Sequence, residues 1–260
     1  MFLSKAGEYE ACGLFSVEHI MLIIATIISI KIALKNTIYK SKNEIKSIIK
    51  KCVIAMWIFE VIIIVFKITK DGFGNINNYI PLYYCSLLLY AGLLSAFSNG
   101  KLKRIGDVFL ATGGIVGGIV FIIFPTTSLM MYPMQHLVSI HSFVFHGIMI
   151  YLGLLINITD YIKIEKSDIK YYASLVGGVC VLAFIVNNIF GSNLMFISQN
   201  FPGMPIEILY NATGKFFTPV MCIIQMTLPF MFVYMTRKSI KAKQYALLLQ
   251  ENQNYSKVGG

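Results

Sequence analysis

A few polar side chains stand inside otherwise apolar segments of the sequence, and these residues are the candidates for chemistry. They are Glu60, Cys85, its neighbour Ser86, and the histidines His19, His141 and His146. A cysteine thiol whose proton is taken by an imidazole becomes a nucleophile toward an acyl carbonyl. A carboxylate can orient such an imidazole or carry a proton itself. These residue types therefore predict acyl transfer through a thioester or, as an alternative, a proton relay.

The composition indicates that these side chains lie within a membrane. Of the 260 residues, 57% are hydrophobic and only 13% are charged, and the mean hydropathy is +0.70. Ordinary soluble domains carry about 25% charged residues. This excludes a cytosolic enzyme, a disordered protein and a nucleic-acid-binding module. The net charge of +10 comes from basic residues that flank apolar runs, which is typical of loops attracted to anionic lipid.

The apolar segments predict an all-α membrane protein with about seven transmembrane helices, since about 20 apolar residues cross a bilayer as a helix. We expect a single transmembrane domain over residues 1–243 and a cytoplasmic tail over 244–260. The predicted spans are 17–34, 52–69, 80–99, 106–124, 138–156, 173–190 and 216–236. Within the fourth span, the glycine pairs at 113–114 and 117–118 form overlapping GxxxG motifs, which favour close helix packing.

The distribution of Lys and Arg predicts the orientation of the bundle. With the N-terminus outside, the inner loops and the tail hold 18 of the 22 basic residues, and the outer side holds four. Cytoplasmic loops carry such an excess of positive charge. The C-terminus is therefore expected in the cytoplasm. Because Ile, Lys and Asn are abundant, as in an AT-rich genome, we expect the membrane to be the plasma membrane of a bacterium.

Cys85 and the histidines come from different predicted helices but share one depth near the outer surface. At 1.5 Å per residue, Cys85 lies about 8 Å below the outer end of its helix and His146 about 12 Å below the end of its own. His141 and His146 are five residues apart, about 140° around a helix, so they cannot both face one point. The cysteines and histidines lack zinc-site spacing, and we expect neither a metal nor a cofactor.

Four short motifs, in order along most of the chain, resemble those of the YwaF-type integral membrane family. The segment IPLYYCSL over 80–87 is similar to that family's "LPLHLCSL" helix, and SFVFHG over 142–147 is similar to its later "FFxxHG"-like pattern. The opening FSVEH over 15–19 resembles "FSxxH", and SNLMFI over 192–197 resembles "NYMFL". One departure is Tyr83, which stands where many bacterial members have a histidine.

This resemblance implies a compact bundle of six or seven spans and a lipid-directed activity. A mammalian relative of the family is regarded as a transmembrane acyltransferase that remodels ether phospholipids and uses a Cys–His pair. Those two roles would map onto Cys85 and His146. A more remote group, the androgen-induced membrane hydrolases of fatty-acid esters, uses Thr with His in a related bundle.

The sequence thus predicts a membrane-embedded lipid acyltransferase or lipid-ester hydrolase. Cys85 would be the nucleophile and His146 the base, with support from Glu60, His141, His19 or Ser86. The partners would be membrane phospholipids or fatty acyl lipids, with no nucleic acid, and the oligomeric state stays open. The alternatives are a transporter with Glu60, His141 and His146 as its relay, and a non-catalytic receptor or assembly subunit.

The predicted orientation can be checked by thiol labelling in whole cells. A cysteine introduced at Asn200 should react with a membrane-impermeant thiol reagent, because its loop is expected outside, whereas one at Asn43 should not. The parent protein sets the background from the native cysteines. The reverse pattern of labelling would overturn the orientation.

Overall fold

The structure is a computed structural model that describes residues 1–74, 77 and 79–258, with the backbone alone for residue 71 and for residues 245–258. In this part of the chain all regular structure is helical, which confirms the all-α fold class. Nine α-helices lie within the described residues: α1 (Val17–Thr37), α2 (Lys42–Asp71), α3 (Leu87–Phe97), α4 (Gly100–Ala111), α5 (Gly113–Ile123), α6 (Leu137–Ile158), α7 (Ile169–Phe190), α8 (Pro205–Thr213) and α9 (Phe217–Val258).

These helices form a polytopic membrane bundle. Within the described residues, six helical segments are long and apolar enough to cross a membrane, and Leu87–Phe97 is a shorter apolar helix. Lipid offers no hydrogen-bond partners to backbone N–H and C=O groups. Apolar segments that cross the membrane therefore form helices, in which these groups bond one another. The chain is therefore a multi-pass membrane protein.

The third predicted span is wrong over residues 80–86, which are not α-helical. Helix α3 begins only at Leu87, after an extended stretch and a turn that ends with the bond from the Leu87 N–H to the Tyr84 carbonyl. Pro81 disfavours helical backbone at Ile80, but a proline is tolerated in a first helical turn and so does not account for residues 82–86. In that turn Tyr83 packs on Phe196 and the Tyr84 hydroxyl meets that of Tyr172, both far away in the chain. This correction moves Cys85 from a helix interior to the turn in front of a helix.

The fourth predicted span, 106–124, is one apolar path with a break in its middle. Helices α4 and α5 meet at Thr112, whose φ of −124° and ψ of −76° are not helical. The Thr112 hydroxyl donates a hydrogen bond to the carbonyl of Val108 at 2.6 Å. The Thr112 hydroxyl thus replaces the backbone N–H donor that the Val108 carbonyl loses where the helix is interrupted.

The glycines of α5 allow α6 to approach closely, as the GxxxG motifs predict. A Cβ atom at Gly118 would lie 3.0 Å from the backbone oxygen of His146, and one at Gly114 would lie 3.7 Å from that of Met149. A side chain at Gly118 would also collide with Ile150. The two backbones are therefore packed at a distance that only glycine permits at Gly118.

Ion pairs join the chain segments at one end of the bundle, which we call the C-terminal end. Arg104 at the start of α4 pairs with Asp168 just before α7. Arg237 and Lys241 of α9 pair with Asp160, which follows α6. Hydrogen bonds from Lys241 and Arg237 hold the pKa of Asp160 below its usual range. The segments that meet here are those predicted to face the cytoplasm.

The opposite end, the N-terminal end, is closed by two irregular segments. The N-terminal segment is hydrogen-bonded to the α5–α6 connection, with the Cys12 N–H donating to Tyr132 and the Gly13 N–H to Leu129. The α7–α8 connection folds into the bundle and is held by Asn187, whose amide group donates to the Leu194 carbonyl and to the Ser198 hydroxyl. This second segment therefore caps the core.

Helix α9 is longer than predicted. It covers the predicted span 216–236 but continues as a single helix to Val258, so the backbone of the predicted tail is helical as far as the structure describes it. Residues 259–260 lie outside the described residues. The charged and polar residues after Lys243 do not break the helix, because Gln, Glu, Lys and Leu all have good helix propensity.

The close contact of α3 with α4 gives a stability prediction. A Cβ atom at Gly106 would overlap the backbone of α3 at Ala91 and Ser95, whereas a Cβ atom at Gly178 would meet nothing within 4 Å. Gly106→Ala should therefore destabilise the protein by about 1–3 kcal/mol through overpacking. Gly178→Ala, the same substitution in another helix, should not destabilise it. Thermal unfolding in detergent would test this, and equal melting temperatures for the two variants would contradict it.

Candidate functional site

Cys85 lies in the turn immediately before α3, half-buried against the core. Its carbonyl accepts the N–H of Leu88 at 3.1 Å, which binds the turn to the first residues of the helix. Ser86 follows Cys85 directly in the chain and is buried. A helix N-terminus carries the positive end of the helix dipole, which offsets part of the cost that burial imposes on a negative charge at this sulfur.

His146 lies in α6, buried to 4% exposure, with its two ring nitrogens in different situations. Nδ1 is 2.7 Å from the carbonyl oxygen of Ser142 and must donate to it. Nε2 is then the unprotonated nitrogen of the neutral ring, and it has no hydrogen-bond partner among the described residues. The ring stacks on Phe121 at a centroid distance of 3.6 Å, which fixes its plane. The arrangement presents a buried, oriented lone pair that is free to accept a proton.

The turn of Cys85 and the backbone of His146 pack against neighbouring glycines of α5. Tyr84, next to Cys85, packs against Gly117, while the backbone of His146 packs against Gly118. No hydrogen bond joins the two side chains, because Nε2 of His146 has no partner in the described chain. Their pairing as nucleophile and base stays a prediction.

Glu60 and His141 form a second polar pair next to Cys85. Nε2 of His141 lies 3.7 Å from a carboxylate oxygen of Glu60, which is ion-pair range but longer than a hydrogen bond. Glu60 also interacts electrostatically with Cys85, and His141 does so with His146. The four groups are thus linked as neighbours from α2, the α3 turn and α6. Ser86, buried beside the sulfur, completes this cluster.

His19 is a fully bonded structural residue, although the sequence suggested it as a support for the site. It is fully buried, and its Nε2 lies 2.9 Å from the carbonyl oxygen of Ile122 while its Nδ1 accepts the N–H of Phe15 at 3.0 Å. Its backbone N–H donates to Ser16, the N-cap of α1. The FSVEH motif therefore encodes a helix cap that also ties α1 to α5.

A hydrogen-bonded tyrosine network next to Cys85 escaped the sequence interpretation. The hydroxyls of Tyr84 and Tyr172 are 2.5 Å apart, and that of Tyr172 donates to the carbonyl of Gln225 at 3.1 Å. The side-chain amide of Gln225 donates to the carbonyl of Met195 at 2.8 Å. The network connects the turn that carries Cys85 to α7, α9 and the buried loop. Tyrosines near apolar runs gave no signal, because most of them occupy ordinary interface or core positions.

The α7–α8 connection also reaches this turn and carries unusual backbone. Met195 and Phe196 both have positive φ, at 58° and 53°, which costs about 1–3 kcal/mol for residues with a side chain. The ring of Phe196 packs on that of Tyr83 at a centroid distance of 5.2 Å. The SNLMFI motif thus forms a wall beside the turn of Cys85, and its hydrogen bonds to Asn187 and Gln225 sustain the strain.

His136, which the sequence interpretation passed over, is the buried N-cap of α6. Its Nδ1 accepts the N–H of Val138 and its Nε2 lies 3.1 Å from the carbonyl oxygen of Ser4. The ring stacks on Tyr132, and burial lowers the pKa of His136. These contacts explain it as a structural residue. Within the described chain no group of three or more His, Cys, Asp or Glu side chains could hold a metal ion.

The fold and this buried polar cluster define a class: a multi-pass helical membrane protein with a cysteine, a carboxylate and two histidines within its bundle. A family model described as the TMEM164 family matches residues 14–236 of the chain. The chain belongs to the TMEM164 family. No curated protein and no solved structure matches it. The matched range contains all four sequence motifs, although the family differs in name from the YwaF-type family that they resemble.

The contrast between His19 and His146 predicts different structural costs for the same truncation. Both rings are buried, but His19 bonds two separate chain segments, whereas His146 makes one bond within its own helix. His19→Ala leaves a carbonyl and an N–H unpaired and should lower stability by about 1–3 kcal/mol more than His146→Ala does. Thermal unfolding of the two variants in the same detergent measures the difference. A His146→Ala variant that is the less stable of the two would overturn this division of roles.

Proposed function

We propose that this protein is a lipid acyltransferase or lipid-ester hydrolase in which Cys85 is the nucleophile and His146 the general base. The observation that carries the proposal is the buried Nε2 of His146, an unpartnered acceptor on an oriented ring. A buried acceptor without a partner lowers the stability of the fold, so its presence here points to a functional role. Membership of the TMEM164 family supports a lipid-related activity. The four motifs support the finer assignment to the YwaF-type branch, in the plasma membrane of a bacterium.

The first half-reaction would form a thioester on the enzyme. Nε2 of His146 takes the proton of the Cys85 thiol while the sulfur attacks the ester carbonyl of a membrane phospholipid or another fatty acyl lipid. The tetrahedral intermediate then collapses, the bond to the ester alkoxy oxygen breaks, and the histidine gives its proton to that oxygen. The products are a lysolipid alcohol and an acyl group on the sulfur.

The second half-reaction would return the enzyme to its starting state. An acceptor hydroxyl loses its proton to Nε2 of His146 as its oxygen attacks the thioester carbonyl, and the sulfur leaves and recovers the proton. With a lipid alcohol as acceptor the result is acyl transfer, and with water it is hydrolysis. Burial of His146 excludes bulk water from the base, which favours transfer to a lipid acceptor.

Glu60 and His141 would support this chemistry as positioning residues. Their contact at 3.7 Å places a carboxylate and an imidazole beside the turn of Cys85. A carboxylate in the middle of α2 costs free energy in lipid when it has no partner. The contact with His141 lowers the cost of placing Glu60 inside the bundle. Ser86, buried next to Cys85, would hold the turn in place through its carbonyl, which accepts the N–H of Leu89 at 3.0 Å.

The Glu60–His141 contact also favours a second candidate function, a proton-coupled transporter. Glu60, His141 and His146 would then pass a proton along the bundle, since His141 interacts with both of the others. In that case the thiol of Cys85 would be dispensable. The two candidates therefore differ in whether activity depends on the sulfur.

A lipid-like electrophile tests the nucleophile and its base together. An acyl-chain electrophile that reacts with thiolates should label Cys85 in membranes, and Cys85→Ala should lose the label. His146→Ala should lower the labelling rate by about 10²–10⁴-fold, the usual contribution of a general base. His141→Ala should only weaken the labelling.

Two variants serve as controls for this experiment. Cys52→Ala removes a half-buried thiol from α2 and should leave the labelling unchanged, and Ser86→Ala tests the neighbouring hydroxyl as the true nucleophile. If folded Cys85→Ala and His146→Ala proteins turn over lipid esters at the parental rate, the proposed enzyme mechanism is wrong.

A further inference from the structure

A groove between α7 and α9 lies apart from the Cys85 cluster and has its own chemistry. Its volume is about 840 Å³, and none of its lining residues comes from α2, from α6 or from the turn before α3, the elements that carry Glu60, His146 and Cys85. The walls are mostly apolar or small side chains, among them Gly177, Gly178, Val181, Phe184 and Met226. Lys215 is the one charged residue among the lining residues.

We propose that this groove binds one anionic phospholipid, with an acyl chain in the groove and the phosphate at Lys215. A second and smaller groove, between α1, α2 and α6, has a volume of about 360 Å³ and no charged lining residue. Charge complementarity therefore distinguishes the α7–α9 groove as a site for an anionic lipid.

The dimensions of the groove match one leaflet of a bilayer. Its lining residues run along α7 from Ala173 to Phe184, eleven residues apart, which corresponds to about 16 Å at 1.5 Å per residue. The hydrocarbon core of a bilayer is about 30 Å thick, so this length is about half of it. The groove is therefore long enough to hold an acyl chain along its axis.

Lys215 lies where a phospholipid headgroup would be. It follows the short helix α8, which is amphipathic and has no buried residue, as expected of a helix at the membrane surface. The ammonium group lies 5.3 Å from the centre of the Phe216 ring, and none of the ion pairs of the described residues includes Lys215. A phosphate oxygen would supply the anionic partner.

The glycines of α7 open the groove to a chain. A Cβ atom at Gly178 would meet nothing within 4 Å, and one at Gly177 would meet only the flexible side chain of Met226 at 3.1 Å and beyond. The space beside Gly178 is thus unoccupied by protein and is available to an acyl chain.

Fluorescence quenching by brominated lipids tests the site in the full-length protein. A tryptophan is placed at Val181, which lines the groove, or at the neighbouring Leu182, which does not, with Trp57→Phe removing the native tryptophan. In nanodiscs, brominated phosphatidylglycerol should quench the tryptophan at 181 more than brominated phosphatidylcholine does, and Lys215→Gln should remove that excess. The tryptophan at 182 should be quenched equally by both lipids.

Native mass spectrometry gives a second measurement that leaves Trp57 in place. Protein purified with a mixture of phosphatidylglycerol and phosphatidylcholine should retain one phosphatidylglycerol. Lys215→Gln should weaken its retention about five-fold, the factor expected when one lysine facing an anionic headgroup is lost. Lys5→Gln removes the same charge outside the groove and should have no effect.

Three results would overturn the proposal. The first is equal quenching at 181 by the two lipids, and the second is an excess for phosphatidylglycerol that persists in Lys215→Gln. The third concerns competition in the quenching experiment. If added oleate removes the excess quenching at 181 as effectively as added unbrominated phosphatidylglycerol, the groove belongs to a fatty-acid carboxylate. None of these results depends on Cys85 chemistry, so the proposal stands or falls separately from the proposed enzyme activity.

Discussion

The close contact between α5 and α6 is the constraint on which the centre of this structure depends. Helices in lipid gain little from hydrophobic association, so they are held by tight packing and by hydrogen bonds. The absence of a side chain at Gly118 lets the backbone of α6 approach at His146. On an adjacent face of α5, Gly113 and Gly117 receive the side chain of Tyr84, which fixes the turn that holds Cys85. One run of glycines therefore positions both proposed catalytic residues.

Lipid as a solvent also explains how the polar groups are distributed. Buried side chains such as His19, Asn187 and His136 bond the backbone at places where helices begin, end or connect. They make the hydrogen bonds to the backbone that water would make outside a bilayer. His146 and His141 differ from these histidines because each has an Nε2 without a hydrogen bond among the described residues. This is why they are the candidates for the proposed chemistry.

Charge and strain concentrate at opposite ends of the bundle. At the C-terminal end, Asp160 and Asp168 draw together α4, α9 and the α6–α7 connection through ion pairs. At the N-terminal end, a buried loop with positive φ at Met195 and Phe196 packs beside the Cys85 turn. Strained backbone of this kind persists only where its surroundings over-determine it, as they do at many active sites. The N-terminal end is accordingly where we place both the proposed reaction and the headgroup end of the α7–α9 groove.

The sequence by itself determined the class of the molecule and the residues worth testing. Apolar run lengths located six membrane-spanning segments of the described chain, since the thickness of a bilayer leaves few alternatives, and the rarity of ionisable side chains in lipid singled out Glu60, Cys85, His141 and His146. Only the tertiary structure showed that α3 begins after Cys85, that His19 is a bonded structural residue, and that Tyr172 reaches the Cys85 turn. Those outcomes depend on contacts between residues far apart in the chain, such as His19 with the carbonyl of Ile122. Hydropathy and spacing report the solvent of each segment but not its neighbours, so they could not decide which polar groups would be bonded and which left free.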